Sequence, residues 1–209
     1  MNKKLIVLFF FICISSFGQR IKIDKKELQF LKGETKVGVK FTFPEGFRMD
    51  GDHIPETDFL KIKEEAWNKK ISPDGGKRWL EAYELSKKED WLNTFITAFN
   101  ETAEYYTDLK LTSDVSNTNY TIIVETNWMY MGYHGGVIYQ RAKLKTTIRF
   151  VKTENLNEEL YATETPVIRG FLGEGLFNDL SRVNQAYDQT SYLLALSLKK
   201  VLKRSRKKS

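Results

Sequence analysis

YTIIVETNWMYM (residues 120–131), GYHGG (132–136) and VIYQRAKLKTTIRFVK (137–152) form the stretch that decides the fold class. In the first segment Ile122, Val124, Thr126 and Trp128 fall on one face. In the last, Leu144, Thr146, Ile148 and Phe150 alternate with Lys143, Lys145, Thr147 and Arg149. A period of two with one polar face predicts half-buried strands. The glycine-rich piece between them turns the chain. The reading is a long hairpin with a core face and a wet face, hence an antiparallel sheet.

Working outward, Val37, Val39, Phe41 and Phe43 alternate with polar residues over 36–43 and predict another strand, stopped at Pro44. Residues 20–32 are basic, with Ile21 and Ile23 alternating with charges, and suit an edge strand or an arm. Residues 57–69 read as a helix with Thr57 as N-cap and Phe59, Ile62, Ala66 and Trp67 as its apolar stripe. After the break SPDGG (72–76), residues 77–106 are helical, as one bent helix or two joined at Glu89-Asp90. Residues 160–169 read as a weaker strand, and Pro166 favours an edge position for it. A joint at 170–175 leads to a last helix over 177–202, with Leu180, Val183, Tyr187, Leu194, Leu198 and Val201 on one stripe. At roughly 1.5–3 kcal/mol for each buried side chain, that helix must dock. The expected architecture is α+β: a two-layer sandwich, an antiparallel sheet with a long central hairpin, and helices on one face.

Residues 1–18 read as an export signal. Lys3 and Lys4 precede an apolar run too short to span a bilayer, and SSFG (15–18) offers small residues for a cut after Gly18. Cys13 lies inside the apolar run and lacks the small residues that precede a lipidated Cys. The expected product is periplasmic or secreted, without a transmembrane segment. It is one α+β domain over 19–198 with a basic C-terminal tail over 199–209. The net charge of +6 changes meaning with this division. Without the two signal lysines and the seven tail cations, the body has 24 Lys+Arg against 27 Asp+Glu, a net −3. A nucleic-acid-binding body is therefore not expected. One Cys excludes a disulfide framework and a Cys-rich zinc module.

GGKRWLEAY (75–83), FITAFN (95–100), YTIIVET (120–126) leading to GYHGGV (132–137), and Arg182, Ala186 and Tyr187 resemble a small secreted family of Bacteroidetes bacteria. The resemblance covers roughly residues 75–203 and implies an exported or envelope protein, with no activity or catalytic residues attached. His134 departs from it, standing where an Asn-like residue is expected in the hairpin turn.

Four groups of residues are candidates for function. Asp50, Asp52 and His53, with Glu56 and Asp58 nearby, supply oxygen and imidazole ligands for a cation. The spacing does not fit an EF-hand, whose closing Glu would fall on Lys61. A solvated acidic loop is the simpler account. The turn around His134 offers backbone to a phosphate, but a strand and not a helix N-terminus follows it. Trp128, Tyr130, Tyr133, His134 and Tyr139 crowd the hairpin end and suit stacking on a ligand or partner, or cross-strand packing. Lys199, Lys200, Lys203, Arg204, Arg206, Lys207 and Lys208 form a tail suited to an anionic surface, or a solvated helix end. No nucleophile–base pair or cofactor motif stands out, and no cofactor is expected. The leading reading is a non-enzymatic envelope module that binds a partner protein or an anionic envelope surface. The alternatives are a hydrolase using His53 or His134 and a small-ligand carrier.

Overall fold

A computed structural model describes residues 19–171 and 178–203. Among the described residues, ten strands and four α-helices follow in order. They are β1 (Lys36–Thr42), β2 (Arg48–Met49), β3 (Ile54–Pro55), α1 (Glu56–Lys70), α2 (Gly75–Leu85), α3 (Trp91–Ala103), β4 (Lys110–Thr112), β5 (Tyr120–Tyr130), β6 (Tyr133–Gly135), β7 (Ile138–Gln140), β8 (Lys143–Lys152), β9 (Asn155–Glu164), β10 (Ile168–Arg169) and α4 (Asp179–Leu202). The class is α+β in the broad sense of helices packed on one main sheet.

The expected hairpin is the pairing of β5 with β8, from Tyr120↔Lys152 to Tyr130↔Lys143. The sheet as a whole is mixed, which corrects the antiparallel expectation. β1 runs parallel to β5 (Gly38↔Thr121 to Thr42↔Glu125) and parallel to β4 on its other side. Three helices separate β1 from β4 and return the chain to the starting end of the sheet, so the next strands repeat the direction of β1. The chain then steps from β4 over β1 to β5 in the loop 113–119. Gly38 permits this step: a Cβ there would lie 2.6 Å from Val115 Cγ1 and 2.9 Å from Thr121 Oγ1.

Two clusters fill the helix-facing side. In the first, Val39, Ile122, Ile148 and Phe150 meet Phe95 and Phe99 of α3 and Leu194 and Leu198 of α4. In the second, Met49, Met129, Met131 and Leu144 meet Trp79, Tyr83, Trp91 and Tyr187. The whole predicted stripe of α4 is buried. Its N-cap is Asn178, whose Oδ1 accepts from the Leu180 and Ser181 N–H groups at 2.8 and 3.4 Å. The first residue of the expected last helix, Phe177, lies outside the described residues.

Several local expectations are corrected. Trp128 does not share the face of Thr126, because a bulge between Thr126 and Trp128 shifts the register and gives the core to Met129 and Met131. α1 starts after Pro55 with no side-chain cap, so Thr57 is a helical residue. Its buried residue is Phe59, whereas Ile62 is exposed. The helix after the break is α2 and α3 joined by a π-helical turn (Ser86–Asp90), with Glu89 and Asp90 in the join. The weak strand begins at Asn155, and Pro166 separates β9 from β10. Residues 19–26 are an arm. Ile21 is fully buried, and its carbonyl accepts from Ser197 Oγ at 2.8 Å.

Candidate functional site

The turn between the long strands carries a small sheet of its own, β6 paired with β7. Gly132 starts it in the left-handed region at φ 77°. A side chain there would strike the Gln140 carbonyl and lie 2.9 Å from Arg182 Nε, so only glycine fits. Arg182 in the first turn of α4 holds this tip in place. Its Nε donates to the Met131 carbonyl at 2.9 Å and its Nη2 to the Gly132 carbonyl at 3.3 Å.

Between the tip, α1 and the start of α4 lies a cleft of about 310 Å³. Lys63, Trp67 and Lys70 line it from α1, Tyr133 and His134 from β6, and Asp179 and Arg182 from α4. Positions 63, 67 and 70 fall on one helical face. Asp179 Oδ2 accepts from Lys63 Nζ at 2.7 Å, and Trp79 Nε1 donates to Oδ1 at 3.3 Å. Burial pushes the Asp179 carboxyl up, but the Lys63 charge and the hydrogen bonds from Lys63 and Trp79 outweigh it, leaving it below the usual value. Burial lowers the Arg182 guanidinium, and the Asp179 charge opposes that shift. Lys70 Nζ lies 5.5 Å from the Trp67 ring centroid. Among the described residues the lining therefore carries three cationic side chains and one carboxylate, and no Ser, Thr or Cys.

The five aromatic candidates do not form one surface. Tyr133 and His134 reach the cleft. Tyr139 packs edge-on to His134, with its hydroxyl enclosed and without a hydrogen-bond partner among the described residues. Trp128 serves the chain itself: its Nε1 donates to the Asp50 carbonyl at 2.9 Å and its ring stacks on His53. Tyr130 donates to Gln140 Oε1, and Lys143 Nζ sits 4.9 Å from its ring centroid.

Asp50, Asp52 and His53 form the turn between β2 and β3, where Asp50 and His53 take positive φ. Asp52 and His53 are exposed. Among the described residues no group of three or more His, Cys, Asp or Glu is placed to hold a metal ion. The two histidines have separate surroundings, His53 over Trp128 and His134 in the cleft. In the tail, Lys199 and Lys200 are exposed in the last turn of α4 and Lys203 follows it. Arg204, Arg206, Lys207 and Lys208 lie outside the described residues. Among the described residues no helix is long and apolar enough to cross a membrane.

Lys63, Trp67, Lys70, Asp179 and Arg182 were not among the sequence candidates. The one signal for them was spacing, at i, i+4 and i+7 on α1 and at i, i+3 on α4. A spacing of that kind marks a helix face without showing what that face meets.

No protein-family model and no curated protein matches the chain. Among solved structures, the PelC dodecamer from Paraburkholderia phytofirmans aligns with 12% identity and a TM-score of 0.36, covering 84% of this chain and 92% of that one. A single-substitution variant of the same protein aligns with 13% identity and the same TM-score, covering 83% and 93%. Likeness at this level carries no conclusion about fold or function.

Proposed function

We propose that the protein is a non-enzymatic binding module of the cell envelope, exported by residues 1–18 and related to the small secreted Bacteroidetes family that its motifs resemble. In this reading it is a two-layer sandwich with helices on one face, and the cleft at the hairpin tip takes an anionic group presented by an envelope component. The observation that carries the reading is the charge of the cleft: among the described residues it is lined by three cations and one carboxylate, on a body whose net charge is negative. Among the described residues the lining has no hydroxyl or thiol nucleophile other than the Tyr133 phenol, and its carboxylate is engaged by Lys63, which suits holding a group more than cleaving one. The basic tail is a second anionic contact at the far end of α4. That helix has 24 residues, so the two ends stand about 36 Å apart.

Sedimentation with lipid vesicles tests the proposal. Binding is expected to vesicles containing phosphatidylglycerol and not to phosphatidylcholine alone. Lys70→Glu and raised salt should each weaken it. Removal of residues 204–209 should leave most of it. Binding that vanishes with the tail and ignores Lys70→Glu would overturn the cleft assignment. Turnover of an ester, glycan or phosphate substrate that is lost in the His53→Ala/His134→Ala double variant would replace the binding reading with a hydrolase.

A further inference from the structure

The second half of β1 is a strand position with one side unfilled. β4 pairs with Lys36, Val37 and Gly38, whereas β5 pairs with β1 as far as Thr42. Past Gly38, β1 has β5 on one side and, among the described residues, no strand on the other. The first half shows that this edge accepts a strand, since the Lys110 N–H donates to the Thr35 carbonyl at 2.9 Å. Odd-numbered residues of β1 therefore face the edge with their backbone groups. Alternation turns the N–H and C=O of Val39 and Phe41 the same way.

Beside those two residues runs an apolar groove of about 650 Å³, lined in part by Val39, Phe41, Phe43, Leu85 and Leu92. Leu85, the last residue of α2, is 51% exposed. Soluble proteins usually blunt a free edge of this kind with charge, proline or a covering segment. Lys40, Lys87 and Lys88 line the groove, and Glu84 is the one acid among its described lining residues; Lys87 also pairs with Glu56, and Lys88 with Glu89 at 3.2 Å. The π-helical turn after α2 supplies two of these lysines. Lys87 Nζ lies 4.6 Å from the Phe43 ring centroid, and Lys88 stands largely exposed at the rim.

We propose that this edge receives an extended segment of a partner protein with apolar residues at alternate positions and acidic residues between and beside them. The guest strand continues the line of β4 and supplies hydrogen bonds to Val39 and Phe41. Its apolar side chains lie on Leu85, Leu92 and Phe43. Its acidic side chains meet Lys40 between them and Lys88 at the rim. Residues 39–43 span about 16 Å, the length of a guest strand of about five residues. The groove is separate from the tip cleft, so this inference holds or fails independently of the proposed function.

The probe is a fluorescein-labelled heptapeptide of alternating Glu and Val, read by anisotropy and by amide exchange in NMR spectra. It should bind and slow exchange at the Val39 and Phe41 amides at least tenfold. The same peptide with Lys for Glu, and one N-methylated at every second amide, should each bind at least tenfold more weakly. So should the Glu-Val peptide tested against the Leu85→Glu/Lys88→Glu variant, both of whose sites are exposed. Absence of binding, equal binding of the N-methylated peptide, or unchanged exchange at Val39 and Phe41 would overturn the proposal. A peptide-free dimer in sedimentation velocity that protects these same amides would assign the edge to a second copy and overturn it as well.

Discussion

At one edge of the sheet β9 runs ten residues beside β8, and β10 continues the line after Pro166. At the other edge β4 stops after three residues and leaves the rest of β1 beside an apolar groove. The long edge carries acids paired across to β8: Glu159 with Arg149 at 2.7 Å, Glu158 with Lys152 at 2.8 Å and Glu164 with Lys145 at 3.1 Å. The N-terminal arm also ties onto it, through Thr163 Oγ1 donating to the Lys22 carbonyl and the Asp24 N–H donating to the Tyr161 hydroxyl. Charge, proline and a covering segment are the usual means of keeping a strand edge from pairing with another chain. One edge has all three; the other has lysines beside a groove and, among the described residues, no covering segment past Gly38, so they differ in what they admit.

The ion pairs repeat the contrast. Along β9 they are exposed, with side chains such as Lys145 and Glu164 at 45% and 67%. Around α1 and α2 they are sheltered: Lys87 meets Glu56 at 21% and 22%, and Lys63 meets Asp179 at 25% and 8%. Glu56 also accepts from the Tyr83 hydroxyl, and burial together with the Glu56 charge pushes that hydroxyl far above its ordinary value. Tyr83 therefore remains a donor. The open side is held from beneath by packing and sheltered charge, where the closed side is held by strand pairing.

Breaking the packing under the open edge has the largest expected effect. Trp91 is fully buried against Phe43, Tyr83 and Tyr187. Trp91→Ala should cost about 4 kcal/mol in urea unfolding. Trp91→Phe should cost much less, because the indole N–H has no hydrogen-bond partner among the described residues. Tyr161→Ala, at a half-buried ring on the closed edge, should cost roughly half of the Trp91→Ala value. Equal losses at Trp91 and Tyr161 would end the distinction in packing.

Asp179 comes next. Removing one partner of a sheltered pair leaves the other uncompensated, so Asp179→Ala should cost about 3 kcal/mol at neutral pH. Its carboxyl is held below the ordinary value in the folded state. The contribution is thus complete above the unfolded value and is lost as pH falls through the folded value. The gap between wild type and Asp179→Ala should shrink on acidification across that window. A gap that stays constant would show that the loss is one of packing.

Sequence periodicity reaches as far as each element's own pattern. β5, β8 and the stripe of α4 could be read because their neighbours are near in sequence or their buried faces are long and regular. β1 could be read as a strand, but KVGVKFT carries no mark of its parallel partner, since that pairing depends on where three helices return the chain. The same absence hides its free edge. Trp128 was misplaced by one bulged residue, Asn127, which has the ordinary polarity of a strand position. Ile62 looked like core on α1 by spacing, while the face that meets the tip carries Lys63, Trp67 and Lys70. The cleft joins three elements far apart in the chain, and only their assembly brings the charges together.

Gly38 sharpens the account of where β4 ends. The loop 113–119 crosses β1 at this residue, and a larger side chain meets Val115 and Thr121. Gly38→Val should cost about 2 kcal/mol in the same urea assay, and faster amide exchange at residues 110–121 should show the crossing displaced. A neutral substitution would mean that the crossing does not fix the end of β4.

The smallest expected effect on stability is at the closed edge, and it bears most directly on what closes it. Replacing Glu158, Glu159 and Glu164 together by Thr removes three exposed pairs, each worth about 0–1 kcal/mol, and Thr offsets part of the loss by suiting a strand. Urea unfolding should shift by about 1 kcal/mol or less. Sedimentation velocity should change more, with association that grows with concentration, because β9 then presents a neutral outer row. If the triple variant associates no more than the wild type, the arm and Pro166 suffice to close this edge and the acids serve solubility alone. If it associates, charge is the barrier, and the absence of any such acidic row along the outer half of β1 becomes the physical reason that only that edge admits a strand.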